Sequence, residues 1–273
     1  MPDSVSTSRI ALVTGATGGL GFALARRLVD DGATVIVHAP DQVSGEQALE
    51  ELVKDGAEPL RLRLVVADFA EKDEVLALAT DLARTVPALD LLVNNAAIVG
   101  PERRTRTAAG HEVTLQVNYL APYVLVRALT AALTAAHGRI VNISSDLHRG
   151  GSIAWNDLDR RQGYYLPLPV YAQSKLALTM FTRTLAETHG DAFTAISVDP
   201  GNLKTGMLQR YGHVGRPAAE VAAEIAPLFD PSYAVTNGGY YVRREPAKPA
   251  ALVDNQGVRA RLSRLTARLT EIH

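Results

Sequence analysis

The sequence predicts an α/β protein, a doubly wound parallel sheet flanked by helices on both faces. Three observations predict it. Short β-rich runs alternate with helical periodicity, a glycine-rich turn separates the first run from the first helix, and 273 residues suit one large α/β domain.

Residues 10–14 form a buried strand, and Leu20, Leu24 and Leu28 then recur four apart on one helix face. Gly32 ends that helix, and residues 34–37 are a second strand. A polar helix over about 44–55 and a third strand over 60–66 follow. Val75, Leu78, Ala79 and Leu82 mark a third helix. Strands four, five and six are placed at 89–93, 139–144 and 194–198, with a long helix at 172–189. Near the end, Val258, Leu262, Leu265 and Leu269 form the apolar stripe of an amphipathic helix over about 254–271, with Arg259, Arg261, Arg264 and Arg268 around them. That stripe suits a core or oligomer contact better than a membrane. Arg243 and Arg244 read as a solvated strand end. No repeat, low-complexity tract or linker interrupts the chain, so residues 1–273 are taken as one domain. Two irregular stretches, about 146–170 and 202–236, follow strands five and six. Ligands of such sheets sit beyond the carboxyl ends of the strands, so these stretches are the expected walls of a substrate pocket.

Composition narrows the function. A formal net charge of -1 argues against broad attraction to nucleic acid or anionic membrane. The absence of cysteine excludes disulfides, thiolate catalysis and cysteine metal sites. Seven scattered histidines with no His-x-x-x-His pair give no support for a metal site, and His148 reads as a polar loop residue. No run approaches the roughly 18 apolar residues of a membrane span. The first nine residues are polar and lack a signal-peptide core, so a cytoplasmic location is expected.

The turn Thr14-Gly15-Ala16-Thr17-Gly18-Gly19-Leu20-Gly21 lies between a strand and a helix. Glycines there allow a tight bend and let a pyrophosphate approach the backbone, while the helix N-terminus presents free N–H groups. Thr14, Gly15, Gly19 and Gly21 resemble the TGxxxGxG turn of the short-chain dehydrogenase/reductase family, a Rossmann-type fold. Further matches follow in family order across nearly the whole chain. Asp68 corresponds to the adenine-contacting Asp. Asn94-Asn95-Ala96-Ala97 resembles the NNAG segment, with Ala97 for the usual glycine. Pro200-Gly201 follows strand six. The resemblance implies a dinucleotide held by Gly15, Thr17, Gly19, Leu20, Gly21, His38, Asp68, Phe69, Asn95, Ala96, Pro200, Gly201, Leu203 and Thr205, together with Tyr171 and Lys175. Relatives that prefer NAD usually carry Asp where Ala39 stands, and those that prefer NADP often carry Arg where Pro40 stands. Neither marker is present. The missing Asp removes repulsion of a 2′-phosphate, so NADP is preferred and NAD stays possible; Asp41, if it reaches the ribose, reverses that preference.

Tyr171 and Lys175 lie four apart, on one helix face. A phenol titrating near 10 is a poor base at neutral pH. A neighbouring ammonium is expected to bring it closer to the working range. Ser144 and Ser145 end strand five, where successive side chains point to opposite faces. Resemblance to the family's IVNxSS segment selects Ser145 as the hydrogen-bond donor to the substrate oxygen. Pro122 lacks an N–H, so the Asn118 carbonyl is expected to leave the helical ladder and hold a water. Asn118 resembles the family's asparagine in a proton relay to the lysine. The catalytic set implied is Asn118, Ser145, Tyr171 and Lys175.

Ser145 and Tyr171 are 26 apart (171 − 145), about twice the separation of common family members. The enlarged segment, with His148 and Trp155, resembles the retinol dehydrogenase-like branch, which tends to act on lipophilic alcohols and carbonyls. Trp155, Tyr164, Tyr165, Leu166 and Leu168 are candidates for an apolar pocket wall, with Trp155, Tyr165 and Leu166 taken as substrate contacts. The expectation is an NAD(P)-dependent oxidoreductase of an apolar or secondary-metabolite-like alcohol, ketone or aldehyde. The resemblance also implies a homodimer or homotetramer. A nucleotide-sensing regulator that lost catalysis is a competing reading, as is an enzyme of epimerisation or C=C reduction.

Overall fold

The strands among the described residues lie in one eight-stranded sheet of order β3-β2-β1-β4-β5-β6-β7-β8. The computed structural model describes residues 9–203 and 215–271. β1 (Ile10–Val13), β2 (Thr34–Ala39), β3 (Leu62–Val66), β4 (Leu91–Asn94), β5 (Arg139–Ile143), β6 (Thr194–Asp199) and β7 (Tyr240–Val242) run parallel. β8 (Glu245–Ala247) returns antiparallel on β7. The helices among the described residues are α1 (Gly19–Asp30), α2 (Gln42–Lys54), α3 (Lys72–Thr85), α4 (Val113–Leu115), α5 (Ala121–Ala135), α6 (Pro167–His189), α7 (Ala218–Ile225), α8 (Ala251–Asp254) and α9 (Gln256–Thr270).

The two-residue period of a strand sorts the core into two layers. Leu12, Ile36, Leu92 and Ile140 face one side, where they cluster with Leu82 of α3, Leu125 of α5 and Leu176 of α6. Ala11, Val13, Val37, Val93 and Val141 face the other, with Leu24 of α1, Leu52 of α2 and Ile225 of α7. Covering both faces explains why these strands read as continuous apolar runs. Each fully buried Leu or Val contributes ~1.5–3 kcal/mol over its exposed state.

Several element boundaries differ from the sequence expectation, each for a local reason. α6 begins at Pro167, five residues before the expected start. The N–H groups of a first turn have no helical partner, so Pro167 and Pro169 are tolerated there rather than marking a loop. Around Asn118 the chain takes a π-helical turn, Gln116–Leu120, before α5. Pro122, at the start of α5, supplies no N–H to the ladder behind it, in keeping with that wider turn. Arg243 and Arg244 form the exposed two-residue turn of the β7–β8 hairpin, with Arg243 at φ 55°. In α9 the buried positions are Arg259, Leu262, Thr266 and Thr270. Arg259 therefore points inward, where it donates to the Val253 carbonyl and to Glu187.

Candidate active site

A cavity of about 900 Å³ opens at the carboxyl ends of the strands, where the sheet order reverses between β1 and β4. The turn after β1 forms its floor. Gly15 sits at φ +62°, and a Cβ there would lie 2.8 Å from the Ala96 Cα, so the two loops touch backbone to backbone. The Thr14 hydroxyl accepts the N–H groups of Asn95 and Ala96 at 2.9 and 3.0 Å, and the Asn95 amide donates to the Thr14 and Gly15 carbonyls. A Cβ on Gly21 would lie 2.2 Å from the Gly15 oxygen. α2 carries a side-chain cap, Asp41 accepting the Ser44 N–H at 2.9 Å, whereas α1 has none. The first turn of α1 thus presents uncapped N–H groups to the cavity, an arrangement that suits a pyrophosphate.

His38 closes the wall at the end of β2. Its Nδ1 accepts the Gly15 N–H at 3.0 Å, so its proton lies on Nε2, which donates to the Ala67 carbonyl at 3.0 Å. The ring lies 4.1 Å from that of Phe69. Burial pushes its pKa down to about 4, so it is neutral at physiological pH.

The opposite end of the cavity holds the titratable cluster. The Ser144 hydroxyl pairs with Thr179 of α6 at 2.8 Å, beneath the sheet. Ser145, one residue on, lines the cavity and shares a hydrogen bond with the Tyr171 phenol. Lys175 is fully buried; its Nζ donates to the Ile143 carbonyl at 2.7 Å and lies 5.6 Å from the Tyr171 ring centroid. Burial lowers the lysine to about 7, opposed in part by the charge of Asp199. Burial raises the Tyr171 phenol well above its usual value, and the Ser145 hydrogen bond opposes this only in part. Desolvation and the charge of Asp199 thus act against the downward shift expected from Lys175, and they keep Tyr171 a protonated phenol.

Asn118 lies behind the cluster. Its side chain grips Ile98 through both backbone groups, at 2.8 and 2.9 Å, and donates to the Ser174 hydroxyl at 3.0 Å. Ser174 in turn donates to the Tyr171 carbonyl at 2.7 Å. Asn118 thus ties the loop after β4 to the helix that carries Tyr171.

The structure gathers most of the residues singled out by sequence. Gly15, Thr17, Gly19, Leu20, Gly21, His38, Asp68, Phe69, Asn95 and Ala96 line the cavity at one end, and Ser145, Tyr171, Lys175, Pro200, Gly201 and Leu203 at the other. Thr205 lies outside the described residues. Trp155, Tyr165 and Leu166 are not among the lining residues. Trp155 packs on the core beneath the Arg261 guanidinium, 4.6 Å from its ring centroid, because the enlarged segment folds back toward α9. Tyr165 donates to Glu112 at 2.9 Å, and Leu166 precedes α6 with its side chain exposed. Of the five apolar candidates in this segment, Leu168 alone lines the cavity, joined by Leu147, Ile98, Val99, Val113 and Val117.

Sequence reasoning passed over Asp199. It lies in the cavity wall, accepts the Gly201 N–H at 2.9 Å and acts electrostatically on both Lys175 and Tyr171. Burial raises its carboxyl. The signal was an acidic residue ending an apolar strand directly before Pro200.

Comparison with known proteins agrees with this geometry. Residues 9–214 match the model of the short chain dehydrogenase family. The chain is 32% identical to polyprenol dehydrogenase of Mus musculus over 288 residues, covering 96% of this chain and 84% of that one. It is 35% identical to retinol dehydrogenase 14 of Mus musculus over 217 residues, 76% of this chain and 64% of that one. A crystallised metagenomic short-chain oxidoreductase in complex with NADP superposes with a TM-score of 0.62 at 27% identity, over 84% of this chain and 94% of the other.

Proposed function

We propose that this chain, which belongs to the short-chain dehydrogenase/reductase family and its retinol dehydrogenase-like branch, reduces a lipophilic ketone or aldehyde with NADPH, Tyr171 giving the proton. The observation that carries this reading is the meeting of Ser145, Tyr171 and Lys175 at one end of a groove whose other end is the glycine turn.

The first-turn N–H groups of α1 and the backbone of Gly15 to Gly21 would hold the pyrophosphate. A nicotinamide dinucleotide, when bound, supplies or accepts the hydride. The chain's own residues manage the oxygen. Ser145 donates a hydrogen bond to it as negative charge develops, and Tyr171 delivers its proton. Burial lowers Lys175 to about 7 and the charge of Asp199 favours its ammonium, so that Lys175, when protonated, sets a positive charge beside the phenol. Asn118 fixes the Tyr171 backbone through Ser174 and is the candidate anchor of a proton-carrying water.

The preference for NADPH draws support from the end of β2. His38 and Pro40 face the groove there, and Asp41 is occupied by the N–H and hydroxyl of Ser44. A carboxylate turned to a helix cap leaves room for a 2′-phosphate. An apolar substrate draws support from Leu147, Leu168, Val113 and Val117 around the reactive end. The names of the two mouse relatives point to lipophilic alcohols as well. Among the described residues no helix is long and apolar enough to cross a membrane.

Titration with NADPH and NADH, followed by a screen of ketones and aldehydes at the nicotinamide absorbance, tests the reading. Tighter binding of NADPH and turnover of apolar carbonyls are expected. Tighter binding of NADH overturns the cofactor choice, and bound NADPH without turnover across the panel favours a nucleotide-sensing role.

A further inference from the structure

A histidine beside the proposed catalytic serine is fully buried and has no part in the proton path above. His148 lies in the 3-10 turn Asp146–Gly150, which Ser145 caps. Its Nδ1 is 2.8 Å from the Ser145 carbonyl oxygen, which also accepts the His148 N–H at 3.0 Å. Its Nε2 accepts the N–H of Ala250 at 3.0 Å. A backbone amide can only donate, so Nε2 bears no proton. The single N–H of the neutral ring must then lie on Nδ1, aimed at Ser145. Tyr240 of β7 packs on the ring with centroids 4.6 Å apart, and the Arg149 guanidinium lies 5.4 Å from the Tyr240 centroid.

Two donors therefore occupy the Ser145 carbonyl oxygen, and both come from His148. They fix the peptide plane after Ser145, whose backbone is extended at φ -160° and ψ 149°. That plane and the ψ of 149° together set the direction of the Ser145 Cα–Cβ bond. We infer that His148 is a positioning residue: its Nδ1–H ring, anchored on Ala250, holds the Ser145 backbone so that the hydroxyl meets the Tyr171 phenol. The inference rests on the roles proposed above for Ser145 and Tyr171. It makes the segment between β8 and α8, 102 residues away in sequence, part of the support of the reactive hydroxyl. An apolar ring of similar size would fill the same space but would supply neither the side-chain donor to Ser145 nor the acceptor for Ala250.

Two measurements test this. Nitrogen-15 NMR of the histidine rings in the intact chain at neutral pH should place the His148 proton on Nδ1; a proton on Nε2 overturns the inference without any substrate. Kinetics with NADPH and the best carbonyl of the screen supply the second. His148→Phe is expected to lower kcat about 10- to 100-fold, with KM for NADPH within about two-fold, because a reacting group has moved while the cofactor site has not. His148→Asn, whose amide nitrogen can still donate to the Ser145 carbonyl, should recover most of the loss. Unchanged kcat in His148→Phe overturns the inference, as does an equal loss in both variants, which would mark a packing role. If His148→Phe does not fold, His148→Asn and the NMR tautomer decide. Tyr171→Phe is measured alongside. Full turnover in Tyr171→Phe removes the reading on which the inference rests, whereas its loss together with an indifferent His148→Phe removes the positioning role alone.

Discussion

The two ends of the cavity are built differently. The proposed nucleotide end is made of backbone: glycines at φ +62° and +55°, loops in direct contact, and a helix start with no side-chain cap. The proposed substrate end is made of side-chain clamps. His148 joins Ser145 to Ala250, and Asn118 joins Ile98 to Ser174. Asp159 gathers His111, the Glu112 N–H and Arg161, while Glu112 accepts from Tyr165 and Thr114. A backbone cradle serves one constant ligand part and tolerates few changes.

Substitutions that break one end and spare the other sharpen the contrast. The largest effect is expected at Gly21. Its added Cβ meets backbone at 2.2 Å, so Gly21→Ala should abolish measurable NADPH binding and cost several kcal/mol in denaturant unfolding, on the order of other overpacking changes or more. An alanine variant with normal affinity would show that the turn is not rigid.

Lys175, where the two ends meet, comes next. Burial lowers it to about 7, whereas an unfolded-chain lysine titrates near 10.4. Between those values the unfolded chain binds the extra proton, so stability rises with pH through that window, at up to about 1.4 kcal/mol per pH unit. Lys175→Met should remove this slope in urea titrations at pH 7 and 9, and should abolish turnover. An unchanged slope would place the titration elsewhere.

A smaller effect is expected from Asp159→Asn. Removing the charge shared by His111 and Arg161 should cost about 1–3 kcal/mol. It should raise KM for the carbonyl and leave NADPH affinity unaltered. A loss of cofactor affinity would deny the separation of the two ends. The smallest change is Gly18→Ala. Nothing lies within 4 Å of an added Cβ there, so only the loss of a glycine N-cap is felt and unfolding should move by no more than about 1 kcal/mol.

The same division explains what was legible in the sequence. The nucleotide end could be read because backbone constraints leave glycines at fixed spacings, and because two-sided burial makes β1 to β6 apolar runs. Tyr171 and Lys175 were legible from a spacing of one helical turn. Trp155, Tyr165 and Leu166 lie outside the cavity lining, because composition marks them as apolar but does not say which way a loop folds. The Arg261 face above Trp155 and the Glu112 partner of Tyr165 come from elements 106 and 53 residues away (261 − 155 and 165 − 112). Asp199 was passed over, and His148 was read as a polar loop residue although it is fully buried, for the same reason, since their partners are assembled only by the fold. The inward turn of Arg259 depends on Glu187 of α6, which no periodicity within α9 reveals.

The most direct test of the proposed chemistry follows a hydrogen. NADPH deuterated at the transferred position is incubated with the best carbonyl, and the product is analysed by mass spectrometry for wild type and Tyr171→Phe. One deuterium on the carbinol carbon is expected for wild type, and a rate about 10²- to 10⁴-fold lower for Tyr171→Phe with near-normal cofactor affinity. Undiminished transfer in Tyr171→Phe, or unlabelled product from wild type, would contradict it.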